Sequence, residues 1–348
     1  MKRNKEEIMK ARKETLATFN RVDDTVRTLV YHGSYGLDEM LEKGVSGVYG
    51  VSRFAKKFIH SKQVFVNPFV RDFGCSSFNT RTPENDVIFG RNFDYKDSLC
   101  IVIWTAPENG YRSMTVTLGS FMLYGKKWQN PDKKKNHIRA MIAPYCCMDG
   151  INEKGLAAAI LEIKSKSTKQ KTGKKTIISP IAIRAVLDKC STVDEAIELF
   201  KQFDMRDVLY VNYHYQFADA QGNSAIIEYV DNKMHVIRQS KKDENLMLTN
   251  YFLTEGGDNR KGMGEDRYQR IGECLKQNEY KLTEENAMKL LSENTLYYRH
   301  KIFRHMVITV WSSVFNLSKG TMKMCAGMNY DTMYEFSLNE PGKVKKIK

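Results

Sequence analysis

The chain has 348 residues, of which 42% are hydrophobic, so it is long enough and apolar enough to bury a substantial core. This composition excludes an intrinsically disordered protein. Lysine and arginine number 55 against 41 acidic residues, and the resulting net charge of +14 predicts either an anionic partner or a lysine-rich solvated surface. The lysines cluster in turn-like stretches without a nucleic-acid-binding pattern, so no specific nucleic-acid partner is expected.

The cysteines and the hydropathy pattern limit the possible classes of protein further. Seven cysteines occur at scattered positions without a CxxC pair, so neither a disulfide framework nor a metal site is indicated. A P-loop-like stretch, TGKKT at 172–176, has Thr168 where the first glycine belongs, and no cofactor is expected. The N-terminus lacks the apolar core of a signal peptide, and no apolar run is long enough to span a membrane. We therefore expect a cytoplasmic protein without a transmembrane segment. The sequence is compatible with a homo-oligomer.

Residues 5–60 are predicted to be helical, because apolar side chains recur at steps of three and four residues between Leu37 and Val51. No chemical motif lies in this region. We therefore expect residues 1–74 to form a helical pre-segment that acts as a propeptide, followed by a catalytic domain at residues 75–348.

From residue 75 the pattern changes to strands rich in β-branched and aromatic residues. A helix follows that has Ser179 placed to cap it and Pro180 in its first turn, then a helix capped by Ser191 or Thr192. The predicted strands lie at 75–80, 86–92, 99–106, 113–123, 155–163, 208–219, 224–230, 233–238 and 246–250, and two further helices at 265–276 and 283–293 precede a strand-rich end. This order, without βαβ alternation, predicts an α+β layered domain.

One cysteine lies in a setting that suits a nucleophile. Cys75 follows Gly74 and precedes two serines, whereas most of the other cysteines sit in apolar or helical patterns typical of buried thiols. A thiol nucleophile needs a base, and none of the seven histidines lies in a recognisable catalytic context. A Cys/His dyad is therefore unsupported, although one sequence does not exclude it.

Cleavage of the Gly74–Cys75 bond would supply a base on the nucleophile itself. The free α-amine of an N-terminal Cys75 would have a pKa of about 7.7–8, close to the value at which a general base works best at neutral pH. Thiol and amine would then be positioned together at little entropic cost. Gly74 suits the scissile position because glycine tolerates a strained, open backbone.

The next strand supplies two candidate partners for this residue. Arg91 and Asp94 follow Cys75 by 16 and 19 positions, and in an antiparallel hairpin the start of one strand lies beside the end of the next. A guanidinium there favours the thiolate, and a carboxylate can accept a hydrogen bond from the amine. A surface ion pair between Arg91 and Asp94 is equally compatible with the spacing.

Ordered motifs along the chain resemble the choloylglycine hydrolase family of N-terminal-nucleophile hydrolases, the linear amide C–N hydrolases that include penicillin V acylases and bile salt hydrolases. GCSSF resembles the processing site of penicillin V acylases, and FGRNFDY carries the family's arginine–aspartate pair at the same offset. MDGINEKGL at 148–156, LTN at 248–250 and DRYQR at 266–270 match further family segments. The resemblance runs from Cys75 to about Leu338 and implies an αββα sandwich, in which two stacked antiparallel sheets lie between helical layers.

The resemblance also implies roles for individual residues. Cys75 would be the nucleophile and its amine the base, with Arg91 and Asp94 organising the amine and the thiolate. Asn250 would donate its side-chain amide to the oxyanion of the tetrahedral intermediate. Arg267 would be a further active-site cation.

Two further positions bear on the site, one that matches the family and one that departs from it. Asn152 agrees with the family motif, but formation of the turn in which it lies is an alternative reason for its presence. Glu162 stands where bile salt hydrolases usually have asparagine and penicillin V acylases tyrosine. Its backbone N–H could serve the oxyanion hole, and its carboxylate would change which acyl or leaving group is accepted. This residue, the short interval between Asn250 and Arg267 and the long segment before Cys75 argue against a bile salt hydrolase.

The implied activity is hydrolysis of a small-molecule N-acyl amide through an acyl-thioester on Cys75. One alternative is an acyltransferase that passes the same thioester to an amine, as penicillin-forming acyltransferases do after a related Gly-Cys cleavage. The other is an uncut, non-catalytic protein whose basic surface binds anions. Several amide substrates remain compatible with the sequence.

Overall fold

A computed structural model describes residues 5–70, 72–96, 99–125, 129–207, 211–239, 245–299 and 306–348. Within these ranges the strands are β1 (Asn20–Arg21), β2 (Val26–Tyr31), β3 (Gly74–Arg81), β4 (Val87–Tyr95), β5 (Cys100–Thr105), β6 (Ser113–Leu118), β7 (Asp149–Asn152), β8 (Ala157–Ile163), β9 (Lys175–Ile177), β10 (Phe203–Met205), β11 (Asn212–Ala218), β12 (Ser224–Val230), β13 (Lys233–Arg238), β14 (Met247–Leu248), β15 (Tyr297–Arg299), β16 (Met306–Asn316), β17 (Thr321–Ala326), β18 (Tyr334–Ser337) and β19 (Lys345–Lys346). The α-helices are α1 (Lys5–Ala17), α2 (Leu37–Lys43), α3 (Gly47–Phe58), α4 (Ser179–Lys189), α5 (Val193–Lys201), α6 (Glu265–Gln277) and α7 (Glu284–Glu293). Two 3-10 helices span Gly119–Met122 and Lys134–Tyr145.

Two large sheets form the centre of the molecule. The first has the strand order β1-β2-β5-β6-β7-β8-β11-β12-β13, and the second has the order β14-β3-β4-β16-β17-β18-β19 with β15 paired to β16. Strand β2 runs parallel to β5, whereas the other pairs within these two sheets, as far as the structure describes them, are antiparallel. The expectation of two antiparallel sheets is therefore confirmed with one parallel exception.

The sheets stack face to face and helices cover both outer faces. Strand β3 of the second sheet packs against β8 of the first, α4 and α5 lie on the first sheet, and α6 and α7 lie on the second. A large apolar core fills the space between the sheets, and a smaller one under α6 and α7 includes Phe78, Ile271 and Leu291. The arrangement is the predicted four-layer αββα sandwich.

The N-terminal region departs from its prediction. Residues 5–60 are not continuously helical, because β2 lies between β1 and β5 as a strand of the first sheet. Val26 and Leu29 of β2 are fully buried. The pre-segment therefore supplies part of the sheet on which the rest of the chain is built, as well as helices.

The helix starts agree in part with the sequence signals. Pro180 lies in the first turn of α4, but Ser179 does not cap this helix, because its hydroxyl bonds to Asp207 and Tyr215 instead. Thr192 caps α5 by accepting a hydrogen bond from the Glu195 N–H. Residues 208–210 of the strand predicted at 208–219 lie outside the described residues.

Helices that could cross a membrane are absent from the described part of the chain, since none is both long enough and apolar enough. The cytoplasmic location expected from the sequence stays a prediction.

Candidate active site

The hairpin formed by β3 and β4 positions the candidate nucleophile. Gly74 lies opposite Asp94 and Cys75 opposite Phe93, which confirms that the start of one strand meets the end of the next. Because side chains alternate across a strand, Arg91 and Asp94 point to opposite faces of β4. The Arg91 side chain therefore reaches between the sheets beside the thiol, and the Asp94 carboxylate approaches the Gly74–Cys75 bond from the other face.

The thiol of Cys75 is completely buried in the uncut chain. Its Sγ lies 4.0 Å from the Ile160 carbonyl oxygen, which also accepts a 2.8 Å hydrogen bond from Arg91 Nη2. Burial raises the pKa of Cys75 to about 11, although the nearby Arg91 guanidinium and the Glu162 backbone N–H favour the thiolate. The thiol is therefore protonated at neutral pH while the chain is uncut.

Arg91 is held by a partner that the sequence reasoning did not single out. Its Nε lies 3.2 Å from Asp149 Oδ2, which also accepts a 3.0 Å hydrogen bond from Trp311 Nε1. Burial raises the pKa of Asp149 to about 6, and Arg91 and Trp311 oppose this rise. Asp149 is the aspartate of the quoted MDGINEKGL motif, so its sequence signal was available. A surface pair between Arg91 and Asp94 is wrong, because both residues are fully buried.

Asn250 and Arg267 hold the backbone of Cys75. The Cys75 N–H donates to Asn250 Oδ1 at 2.7 Å, and Arg267 Nη1 donates to the Cys75 carbonyl oxygen at 2.6 Å. Arg267 Nη2 also donates to Asn250 Oδ1, at 2.9 Å. Asn250 Nδ2 uses one hydrogen to donate to the Glu162 carbonyl oxygen at 2.8 Å, and an amide nitrogen carries a second. Its role as oxyanion donor stays a prediction.

Asp94 and Gly74 approach each other closely at the candidate scissile bond. A Cβ atom at position 74 would lie 2.7 Å from Asp94 Oδ2 and 2.4 Å from Leu296 Cδ1, so only glycine fits. Asp94 Oδ1 accepts a 2.6 Å hydrogen bond from Thr309, whereas Oδ2 makes no hydrogen bond within the described residues and lies 3.7 Å from Arg267 Nη1. Burial raises the pKa of Asp94, and Arg267 is the main opposing influence.

The backbone conformation is unusual at Asp72, two residues before Gly74. Asp72 has φ 65°, in the left-handed region that costs non-glycine residues energy. Gly74 is needed for space rather than for the strained backbone that the sequence analysis expected. The N–H groups of Asp72 and Phe73 both donate to the Glu162 carboxylate, with Asp72 N at 3.1 Å and 3.0 Å from its two oxygens and Phe73 N at 3.3 Å from Oε2.

Asn152 is not brought into this cluster. Its Nδ2 donates to the carbonyl oxygens of Leu187 and Cys190, at 3.0 Å and 2.7 Å, and its Oδ1 accepts from the backbone of its own turn. The alternative that Asn152 forms a turn therefore explains its contacts, and it also joins β7 to the end of α4.

One histidine lies near the site but is occupied by other contacts. His214, one of the seven histidines without a recognisable catalytic context in the sequence, is buried, with Nδ1 3.0 Å from Glu228 Oε1 and Nε2 2.7 Å from the Thr249 carbonyl oxygen. It supports the backbone beside Asn250 and does not serve as a base for Cys75. His300 and His305 lie outside the described residues.

The described residues contain no group of three or more His, Cys, Asp or Glu side chains arranged to bind a metal ion. The arrangement around Cys75 instead combines a buried thiol, two guanidinium groups, a carboxylate and backbone or amide donors. These are the components that nucleophilic acyl chemistry requires.

Comparison with known sequences finds a matching family and a curated relative. The family of acyl-coenzyme A:6-aminopenicillanic acid acyl-transferases matches residues 80–331. A penicillin V acylase of Pectobacterium atrosepticum is 32% identical over 212 residues, which make up 53% of this chain and 54% of that protein. The chain thus spans about half the length of this curated relative.

Solved structures share the fold at low sequence identity. A conjugated bile acid hydrolase of Clostridium perfringens superposes with a TM-score of 0.55 at 17% identity, covering 79% of this chain and 96% of that one. A penicillin V acylase of Agrobacterium tumefaciens gives a TM-score of 0.52 at 17% identity, with coverages of 79% and 98%. These likenesses confirm the predicted αββα sandwich fold. The predicted resemblance is also confirmed, and the chain belongs to the acyl-coenzyme A:6-aminopenicillanic acid acyl-transferase family.

Proposed function

We propose that this protein hydrolyses the C–N bond of linear N-acyl amides, with Cys75 as an N-terminal nucleophile formed by cleavage of the Gly74–Cys75 bond. The observation that carries the proposal is the division of contacts around one residue. The Cys75 N–H, the future amine, donates to Asn250, whereas Sγ lies beside Arg91 and the Ile160 carbonyl. Base and nucleophile therefore have separate partners before the bond is cut.

Cleavage would proceed by an acyl shift within the chain. Cys75 Sγ attacks the carbonyl carbon of Gly74, the Gly74–Cys75 C–N bond breaks, and the nitrogen takes up the proton that the thiol loses. Water then hydrolyses the thioester, which frees the thiol and leaves a carboxylate on Gly74. Asp94 Oδ2, beside Gly74, would accept a hydrogen bond from the new amine.

Substrate turnover would repeat these steps with an external amide. The Cys75 amine accepts the thiol proton, and the thiolate, favoured by Arg91, attacks the substrate carbonyl. The second N–H of Asn250 Nδ2 and the backbone N–H of Glu162 would stabilise the oxyanion. The ammonium returns its proton to the leaving amine, and water releases the acid from the thioester.

The pre-segment would stay bound after cleavage. Residues 26–31 pair with β5 inside the first sheet, and the Tyr35 hydroxyl donates to Asp188 of α4. Hydrogen bonds and apolar contacts of this kind do not depend on the covalent link at Gly74. We therefore assign residues 1–74 as a propeptide that is cut from Cys75 and stays bound, among the fates that the sequence leaves open.

Acyl transfer is a second candidate, favoured by the description of the matching family as acyl-transferases. The same thioester would then pass its acyl group to an amine instead of water. Incubating an N-acyl substrate with and without an added amine acceptor separates the two activities. Predominant transfer product at millimolar acceptor would replace hydrolysis as the main activity.

Intact-mass analysis and an N-acyl amide panel test the proposal together. Wild-type protein is expected to yield chains of residues 1–74 and 75–348 and to release acid from at least one amide. The Cys75→Ala variant is expected to stay uncut and inactive. An uncut wild-type chain that binds polyanions and has no thiol reactivity would instead support the anion-binding alternative.

A further inference from the structure

The Glu162 carboxyl is a buried titratable group for which the proposed chemistry has no use. Its backbone N–H and carbonyl contribute to the site, but the side chain points to the segment before the scissile bond. There it accepts hydrogen bonds from the N–H groups of Asp72 and Phe73. Burial raises the pKa of Glu162 to about 8, with the Asp72 carboxylate as the next cause. A carboxylate in this position is unfavourable unless hydrogen-bond donors face it.

The N–H groups of Asp72 and Phe73 both lie on the acyl side of the Gly74–Cys75 bond. In the cleavage step residues 72–74 are the acyl part, and Cys75 supplies the leaving nitrogen. During turnover the thioester on Sγ carries the acyl part of the substrate in the same orientation. A group that contacts the backbone of Asp72 and Phe73 in the uncut chain therefore faces the acyl group of a substrate in the cut enzyme.

Once the Gly74–Cys75 bond is cut, residues 72–74 at the end of the pre-segment can leave their place, while the body of the pre-segment, which includes strand β2, stays in the sheet. Phe73 then vacates the wall of a cavity of about 50 Å³, whose other lining residues include Val51, Val66, Tyr145, Ile160 and Tyr213. Asp207 is the carboxylate among the lining residues, and its Oδ2 has no hydrogen-bond partner among the described residues. The vacated space is thus mainly apolar, and the Glu162 carboxylate lies next to it through its contact with the Phe73 N–H.

We propose that Glu162 selects the acyl group: it accepts a hydrogen bond from acyl groups that carry a nitrogen donor, best a cationic amine, on an otherwise apolar chain. The Phe73 nitrogen indicates where this donor should lie in a substrate. It is about five covalent bonds from the Gly74 carbonyl carbon, which corresponds to the carbonyl carbon of the substrate's acyl group. This inference rests on the proposed function and adds the class of acyl group. Acyl groups without such a donor leave the carboxylate buried without a partner and are poor substrates.

Three anilides that imitate residues 73–74 test this directly. Phenylalanyl-glycyl 4-nitroanilide carries an ammonium group at the position of the Phe73 nitrogen, its N-acetyl derivative carries a neutral N–H there, and 3-phenylpropanoyl-glycyl 4-nitroanilide has only a hydrogen atom in place of that nitrogen. For wild-type enzyme, kcat/KM is expected to fall in this order. The first compound should exceed the last by about tenfold to a hundredfold, as expected for a hydrogen bond between charged groups.

Variants identify the side chain responsible. Glu162→Gln should remove the preference for the ammonium compound, and Glu162→Asp should retain part of it. Glu153→Gln, which alters an exposed carboxylate paired with Arg112, is the matched control and should behave as wild type. All rates are normalised to the amount of cut chain measured by intact mass, because Glu162→Gln is also expected to slow cleavage.

The outcomes separate this inference from the function on which it rests. Equal kcat/KM for the three anilides in wild-type enzyme would overturn the role of Glu162 and leave amide hydrolysis standing, even if the variants failed to fold. A preference that persists in correctly cut Glu162→Gln enzyme would overturn it as well. The absence of Cys75-dependent hydrolysis of any amide would overturn both.

Discussion

Two parts of the first 74 residues are held in the molecule by different interactions. The body of the segment contributes a sheet strand and a buried helix face, with Val26, Leu29 and Val51 fully buried. The link at 72–74 is held by hydrogen bonds to the single carboxylate of Glu162 and by the buried Phe73 ring, which packs against Phe93 and Tyr213, and it contains a residue at φ 65°. The body therefore has contacts that do not depend on the Gly74–Cys75 peptide bond, and the link contains the proposed cleavage site.

Magnitudes support this division. A fully buried valine or leucine contributes about 1.5–3 kcal/mol, and the body contains several such residues in addition to its strand hydrogen bonds. A hydrogen bond to a charged group contributes about 1.5–3 kcal/mol, and the left-handed conformation of Asp72 costs on the order of 1 kcal/mol. The body therefore has enough contacts of its own to stay in place after the Gly74–Cys75 bond is cut.

The largest effect is expected where the link meets the catalytic residues. Asn250→Ala removes the acceptor of the Cys75 N–H and the candidate oxyanion donor. We expect kcat for amide hydrolysis to fall by about 10²–10³-fold, the usual cost of losing such a donor. Steady-state kinetics on cut enzyme check this. Asn152→Ala is the comparison variant, since its amide bonds only to the α4 end and its own turn, and a similar fall in that variant would contradict the assignment.

Changing the scissile glycine should stop cleavage while leaving the body folded. In Gly74→Ala the new methyl group would meet Leu296 and Asp94, which displaces the bond from the thiol. A misplacement of about 1 Å costs on the order of a hundredfold in rate, so uncut chain should accumulate. A time course of intact mass measures this. Gly272→Ala in α6, which would contact only the Met247 side chain, should be cut at the wild-type rate.

Thiol labelling compares Cys75 before and after the cut. In the uncut chain burial raises the pKa of Cys75 to about 11 from 9.0, so the thiolate fraction below pH 9 is about a hundredfold smaller than for an ordinary cysteine. Labelling of Cys75 in uncut Gly74→Ala protein should rise only as the pH approaches 11. In cut wild-type enzyme, with Arg91 nearby and the link displaced, labelling should already be complete below pH 9.

Peptide mapping by mass spectrometry gives the readout for that experiment. Cys274, which is only partly buried, serves as the internal standard in both proteins. Equal labelling of Cys75 in cut and uncut chains at pH 8 would show that the link does not shield the thiol.

The smallest effect is expected from a contact that holds the body. Tyr35→Phe removes a hydroxyl that donates to the buried Asp188 carboxylate, next to Arg184. We expect the free energy of unfolding of the uncut Cys75→Ala chain to fall by about 1–3 kcal/mol in a urea titration. Tyr49→Phe, at a site that is 63% exposed, should change it by less than about 0.5 kcal/mol. Equal decreases in the free energy of unfolding for the two variants would mean that the Tyr35 hydroxyl does not help to hold the pre-segment in place.

Much of the site could be predicted because it depends on local patterns. Cys75 and Arg91 lie in one hairpin, whose strands alternate and whose register follows from chain order. The same alternation shows why Arg91 and Asp94 do not pair: three residues apart on a strand, they occupy opposite faces. This was available from the sequence, and it would have directed attention to Asp149 as the partner of Arg91.

Other features depend on contacts between distant segments. Residues 26–31 are a short apolar run between helices, and their strand conformation comes from pairing with β5 about seventy residues later. The Glu162 side chain could be noticed as a departure from the family, but its partners depend on the φ 65° conformation of Asp72, which no local pattern indicates. Sequence periodicity does not report contacts of this kind.

N-terminal sequencing of purified, active protein, combined with size-exclusion chromatography, tests the central claim most directly. We predict two N-termini, one reading Cys-Ser-Ser from residue 75, in chains that elute together and separate only in denaturant. Active protein whose only N-terminus reads Met-Lys-Arg, with residues 74 and 75 still joined, would contradict the claim.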